Sequence, residues 1–204
     1  MNQFRVIILA FSFAASTLLS RSPQETAPPR ANTTNSPQNP LPTKGLVDNG
    51  TYKNTSIGLE FTPAENLKLQ EPEMKGTPGT TPLLITVQAV SDGGLISSLF
   101  STQGLTIFYA EPLASYPEEQ RNVPRYLKKI IRANEAEGWQ HVDGKASEQM
   151  AGILFSRLDF VRGNVHEAVL VVAHRDYAFV FIFAGVDIGA PNKLIAATNV
   201  KFTP

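Results

Sequence analysis

Three histidines, two carboxylates set among apolar residues and one basic helical stripe are the groups in this 204-residue chain that could do chemistry. His141 and Asp143 flank Val142, so on an extended segment both side chains point the same way and could begin a metal or acid–base pair. Two such groups after Trp139 fall short of the three or four protein ligands of a resident metal. His166 and His174 share strand parity but stand ~26 Å apart at ~3.3 Å per residue. They cannot share an ion, and each is expected to close a strand end. Asp159 and Glu167 could serve a small hydrolase or lyase as its working carboxylates. Salt bridges to Arg157 or Arg162 account for them more simply.

The basic stripe is the best functional patch. Arg125, Lys128, Lys129 and Arg132 fall opposite Leu127, Ile130, Ile131 and Asn134 on a helical wheel. The pattern reads as a solvated face or, more sharply, as a surface for an anion or a partner, including peripheral contact with an anionic membrane. Leu95, Ile96, Leu99 and Phe100 follow Gly93-Gly94 at helical spacing. They read as core packing or, if exposed, as a partner-docking or lid patch. Several chemistries are missing from the sequence. No Gly-x-Ser-x-Gly elbow, nucleotide-binding glycine loop or cysteine occurs, which removes α/β-hydrolase serines, phosphate cradles and thiolate chemistry. No cofactor is expected.

The elements that position these groups follow from composition and periodicity. Met1–Arg5 is a short basic region, Val6–Leu19 is apolar, and small residues stand at Ala14, Ala15 and Ser16. This reads as a signal peptide, residues 1–20, cleaved near Ser16–Ser20, for a periplasmic or secreted protein. Residues 21–50 alternate Pro23, Pro28, Pro29, Pro37, Pro40 and Pro42 with polar residues and read as a disordered linker. Setting aside the four basic and two acidic residues of 1–50, residues 51–204 carry 14 basic and 16 acidic side chains. So balanced a domain lacks the positive field that nucleic-acid binding needs. An unknown protein partner or small ligand is the expected counterpart.

Residues 51–204 read as a single domain. Thr51–Phe61 is a hairpin with Ile57, Leu59 and Phe61 on one face, and Ala64–Thr81 is mostly loop. Pro82–Val90 and Gly104–Ala110 are strands. Ser115 and Glu118 have capping-box spacing, and Pro124 either kinks that helix or starts a second one running to Glu137. Met150–Val161, Val165–His174 and Tyr177–Ala184 form a meander, followed by a helix over Pro191–Asn199 and a short extended tail. The stretch Val165–Ala184 is the scaffold's centre. Its third strand is apolar on both faces, so both faces must be covered. The charges at His166, Glu167, His174, Arg175 and Asp176 rule out a transmembrane helix there.

Tyr52 followed by Gly58-Leu-Glu-Phe61-Thr-Pro63, the mid-chain helix, the aromatic C-terminal hairpin and the closing Val200-Lys201-Phe202 together resemble the PsbP/Mog-type fold family. The resemblance implies an α+β fold, a central antiparallel β-sheet meander flanked by helices on both faces (an α/β/α sandwich). It also implies a binding or accessory module; with the N-terminal export segment and no nucleophile or metal constellation in the sequence, the expectation is an exported, non-catalytic one. The alternative drawn from the residues is a small extracytoplasmic hydrolase or lyase using carboxylates.

Overall fold

The computed structural model describes residues 42–76 and 84–203. The expected signal segment and residues 21–41 of the expected linker lie outside the described residues. In chain order the first strands are β1 (Leu46–Asp48), β2 (Thr51–Asn54), β3 (Leu59–Thr62), β4 (Lys68–Leu69), β5 (Glu73–Lys75) and β6 (Leu84–Val90). Helix α1 (Gly94–Phe100) leads to β7 (Leu105–Pro112), and two 3-10 turns, Leu113–Ser115 and Glu118–Gln120, lead to helix α2 (Val123–Ala136). Then come β8 (Gln140–Val142), β9 (Ser147–Met150), β10 (Ile153–Arg162), β11 (Val165–His174), β12 (Tyr177–Gly185), α3 (Ala190–Ala197) and β13 (Asn199–Phe202).

The described strands form two antiparallel sheets, and the fold class is α+β. The small sheet runs β1-β2-β3-β13; the large one runs β4-β6-β7-β12-β11-β10-β8, with β5 also on β6 and β9 also on β10. The β11–β12 hairpin sits between β7 and β10, so every backbone edge of its strands is paired. Its turn holds Arg175 at φ 49°, a left-handed conformation unusual for a side chain of that size. The Arg175 guanidinium donates to the Thr203 carbonyl at 3.1 Å, which ties the strained turn to the end of β13.

Side-chain alternation gives the large sheet two buried faces. One carries Phe108, Ala110, Leu170, Phe179, Phe181 and Phe183, packed against Tyr52 and Phe61 of the small sheet and Leu194 and Ile195 of α3. The other carries Ile107, Tyr109, Val169, Val171, Val180 and Ile182, all buried. Helix α2 packs against β10 and β11. The small sheet thus shares the first face with a helix, where helices alone were expected. A terminal strand joining an N-terminal hairpin leaves no trace in local periodicity.

Four local readings change. β1 falls inside the stretch read as linker, because Tyr52 Oη donates to the Lys44 carbonyl at 3.0 Å and Asn54 Nδ2 to the Thr43 carbonyl at 2.7 Å. The stretch read as one strand from Met150 is a hairpin instead, turning at Ala151-Gly152, both at positive φ. The capping box at Ser115 does not form. Asn122 caps α2, its side-chain oxygen accepting the Arg125 N–H at 3.1 Å, and Pro124 stands in the first turn. In α1 the fully buried residue is Ser98, not one of the four apolar residues.

Phe181 has no solvent exposure and touches the rings of Phe108 (4.9 Å), Phe61 (5.5 Å) and Phe155 (5.8 Å). Phe181→Ala should therefore destabilise the fold by about 3–5 kcal/mol in denaturant unfolding. A loss below about 1 kcal/mol, the scale of a surface change, would contradict the two-sheet core.

Candidate functional site

The densest polar constellation gathers beneath α2 around a carboxylate that the sequence reading passed over. Glu111 is near the end of β7 and only 5% exposed. Strand alternation sets it on the same face as Tyr109. Helical spacing brings Tyr126 and Lys129, three residues apart on α2, to that face as neighbours. The Tyr126 hydroxyl donates to Glu111 Oε1, and the Tyr116 hydroxyl donates to Oε2. Lys129 Nζ donates to Tyr116 Oη, lies 3.7 Å from Glu111 Oε1, and sits 4.2 Å from the centroid of the Tyr116 ring. The Tyr116 and Tyr126 rings meet edge to face at 5.9 Å. Tyr109 extends the network through a hydrogen bond with Tyr126.

The electrostatics follow from burial. Burial and then the charge of Glu111 push the hydroxyls of Tyr109 and Tyr116 well above the ordinary tyrosine range. Tyr126 is raised first by burial, then by Tyr109 and Glu111. All three keep their protons as donors. Burial lowers the Lys129 ammonium, and Glu111 opposes that shift. Each carboxylate oxygen of Glu111 is thus occupied by a tyrosine proton. Such an arrangement fixes a charge and clamps three chain segments.

The basic stripe divides at this point. Arg125, Lys128 and Arg132 are exposed, whereas Lys129 is half-buried and turned toward Glu111. In α1, Ile96 and Phe100 are exposed and Leu95 and Leu99 half-buried. Ser98 takes the inward position because its hydroxyl donates to the Gly94 carbonyl and accepts the Ser91 N–H, each at 2.7 Å. His141 is half-buried with its ring 5.4 Å from Phe160, and Asp143 is exposed. Among the described residues no group of three His, Cys, Asp or Glu could hold a metal. Trp139 is buried with the Arg162 guanidinium 4.9 Å from its ring centroid, a packing contact.

Asp159 and Glu167 are not brought together. Asp159 pairs with Ala168 and Glu167 with Phe160 across β10–β11, so the two carboxylates occupy opposite faces of the sheet. Asp159 takes two guanidinium nitrogens of buried Arg157, at 2.7 and 3.1 Å, while Glu148 and α3's Asn192 take a third. Gly144 abuts this network, since a Cβ there would come within 2.3 Å of Asp159 Oδ2. The salt-bridge account therefore fits Asp159. Glu167 differs: it is 3% exposed, and among the described residues its Oε1 has no hydrogen-bond partner. Burial pushes its carboxyl up to about 8, against a partial downward pull from Arg162.

No family model and no curated protein matches the chain. Among solved structures, it is similar to the solution structure of cyanobacterial PsbP (CyanoP) from Synechocystis sp. PCC 6803. The TM-score is 0.44 at 12% identity, covering 79% of this chain and 99% of that one.

Two outcomes follow from these environments. The folded Glu167 carboxyl holds its proton up to about pH 8, whereas the unfolded one releases it near 4.5. Stability should accordingly fall as pH rises from 4.5 to 8 and level off above. Glu167→Gln should flatten that slope and melt higher than the parent at pH 8; parallel melting-temperature profiles for the two proteins would contradict it. Tyr126→Phe strips Glu111 Oε1 of its tyrosine donor and should cost about 1–3 kcal/mol in denaturant unfolding. An unchanged midpoint would contradict the clamp.

Proposed function

We propose that the chain is an exported, non-catalytic binding or accessory module that acts through a protein partner or a small ligand. The observation carrying this reading is the condition of the outward cations of α2. Arg125, Lys128 and Arg132 are exposed, and among the described residues none of them makes an ion pair. Lys128 and Arg132 also stand one helical turn apart, a like-charge spacing that costs a helix about 0.2–0.5 kcal/mol. An anionic counterpart would relieve that cost. Meanwhile the carboxylates of Glu111 and Asp159 are held by tyrosines and by Arg157.

The apolar run Val6–Leu19 behind a basic start supports export. The packing of α2 against β10 and β11, with α3 in the opposite core, supports a PsbP-like α/β/α layering. A second reading, the extracytoplasmic hydrolase or lyase using carboxylates, keeps one support in the unpartnered Oε1 of Glu167. Turnover on an esterase, glycosidase or phosphatase panel, abolished by Glu167→Gln, would favour it over the first.

The binding reading is tested with two anionic probes at low salt, labelled polyglutamate and phosphatidylglycerol vesicles. Replacing Arg125, Lys128 and Arg132 together by Glu should weaken binding to any anion that the parent binds, on the order of tenfold or more. Equal affinities for parent and triple variant would contradict it.

A further inference from the structure

The three free cations of α2 are bracketed by carboxylates, and this bracketing says what kind of anion they can meet. Glu118 and Glu119 are exposed in the turn before α2, and Glu135 is exposed in its last turn. Arg125 and Arg132 are seven residues apart, as are Lys128 and Glu135, so each pair drifts only ~20° around the helix. The two pairs are offset by ~60°, so all four exposed side chains lie within an outward arc of ~80°. The cations span ~10 Å of helix axis and Glu135 follows ~4.5 Å beyond Arg132, at 1.5 Å per residue. Among the described residues none of these six charged groups forms an ion pair, so neither sign is quenched internally. Exposed Arg121, whose guanidinium donates to the Tyr116 and Ala114 carbonyls, stands between Glu119 and the cations of α2, so the exposed order along the chain is negative, positive, negative.

We infer that the outer face of α2 docks a protein surface of the opposite order, carboxylates flanked on both sides by cations. The inference rests on the reading of α2 as the contact surface and names the partner's chemistry. A uniformly anionic bilayer is a poor match. It would meet Glu135 in the same plane as the cations, well inside the ~10 Å over which charges act at ~0.1 M salt. A second copy of this chain is a poor match too. Two such strips laid together, parallel or antiparallel, oppose cation to cation at their centres. A partner carrying lysines or arginines around an acidic centre satisfies all three segments at once, and like-charge juxtaposition rejects other arrangements.

The test uses the whole exported chain and two fluorescent peptides of identical composition. One carries its aspartates together in the middle with lysines at both ends; the other alternates them. Phosphatidylglycerol vesicles are the third probe. The parent should bind the block peptide on the order of tenfold more tightly than the alternating one and leave the vesicles at physiological salt. Glu118→Lys, Glu119→Lys and Glu135→Lys combined should erase the peptide preference and increase vesicle binding, with the circular dichroism spectrum unchanged. Equal affinity for the two peptides, binding to neither, or parental attachment to vesicles at physiological salt would overturn the inference. If reversing Arg125, Lys128 and Arg132 still weakens anion binding in that case, the contact-surface reading survives and only the charge order fails.

Discussion

The arrangement of α2 depends on one buried anion. A carboxylate withdrawn from water must find donors or lose its charge, because an unpaired buried ion costs several kcal/mol. Glu111 at the end of β7 finds them in Tyr116, from the connecting turn, and in Tyr126 and Lys129, from α2. Those donors come from α2 and from the turn leading into it, and they tie both to the sheet. An apolar helix face can slide against apolar strands with modest loss, whereas hydrogen bonds to a charged acceptor fix one geometry.

Fixing that geometry decides which charges the molecule shows. With Tyr126 and Lys129 turned to Glu111, helical periodicity sends Arg125, Lys128 and Arg132 outward. The opposite face of the sheet uses the same device at Arg157, whose guanidinium joins Glu148, Asp159 and Asn192 across β9, β10 and α3. Both polar clusters connect elements across the sheet. Glu167 stands apart from them. It is as buried as either cluster, its Oε1 has no hydrogen-bond partner among the described residues, and burial raises its carboxyl so that it keeps a proton.

The fold was legible where side-chain periodicity is local. The central hairpin, the strand before α2 and the helix carrying Leu127, Ile130 and Ile131 all declare themselves through alternation or helical spacing. What escaped has two causes. The small sheet requires β13 to reach β3 across most of the chain, whereas the turn at Ala151-Gly152 is local but lies in an apolar run without a polar break. The candidate site escaped for a related reason. Glu111 looks like a polar residue ending a strand, and Lys129 like one more member of a basic stripe. The available signal was a tyrosine two residues before an acid on one strand face, together with a tyrosine and a lysine three residues apart on the next helix. Each half is unremarkable alone, and only the crossing of β7 by α2 joins them. Ser98 misled in the other direction, since a hydroxyl that hydrogen-bonds locally can occupy the inward position that four apolar neighbours appeared to claim.

The central claim is that the Glu111 carboxylate holds α2 in its rotation on the sheet. Amide hydrogen exchange in Glu111→Ala, compared with the parent at the same pH, tests it most directly. Protection should collapse selectively over 123–136 while the amides of β11 and β12 keep theirs, because the sheet's own core does not depend on that anion. Unchanged protection in α2, or an equal loss across helix and strands, would contradict the account.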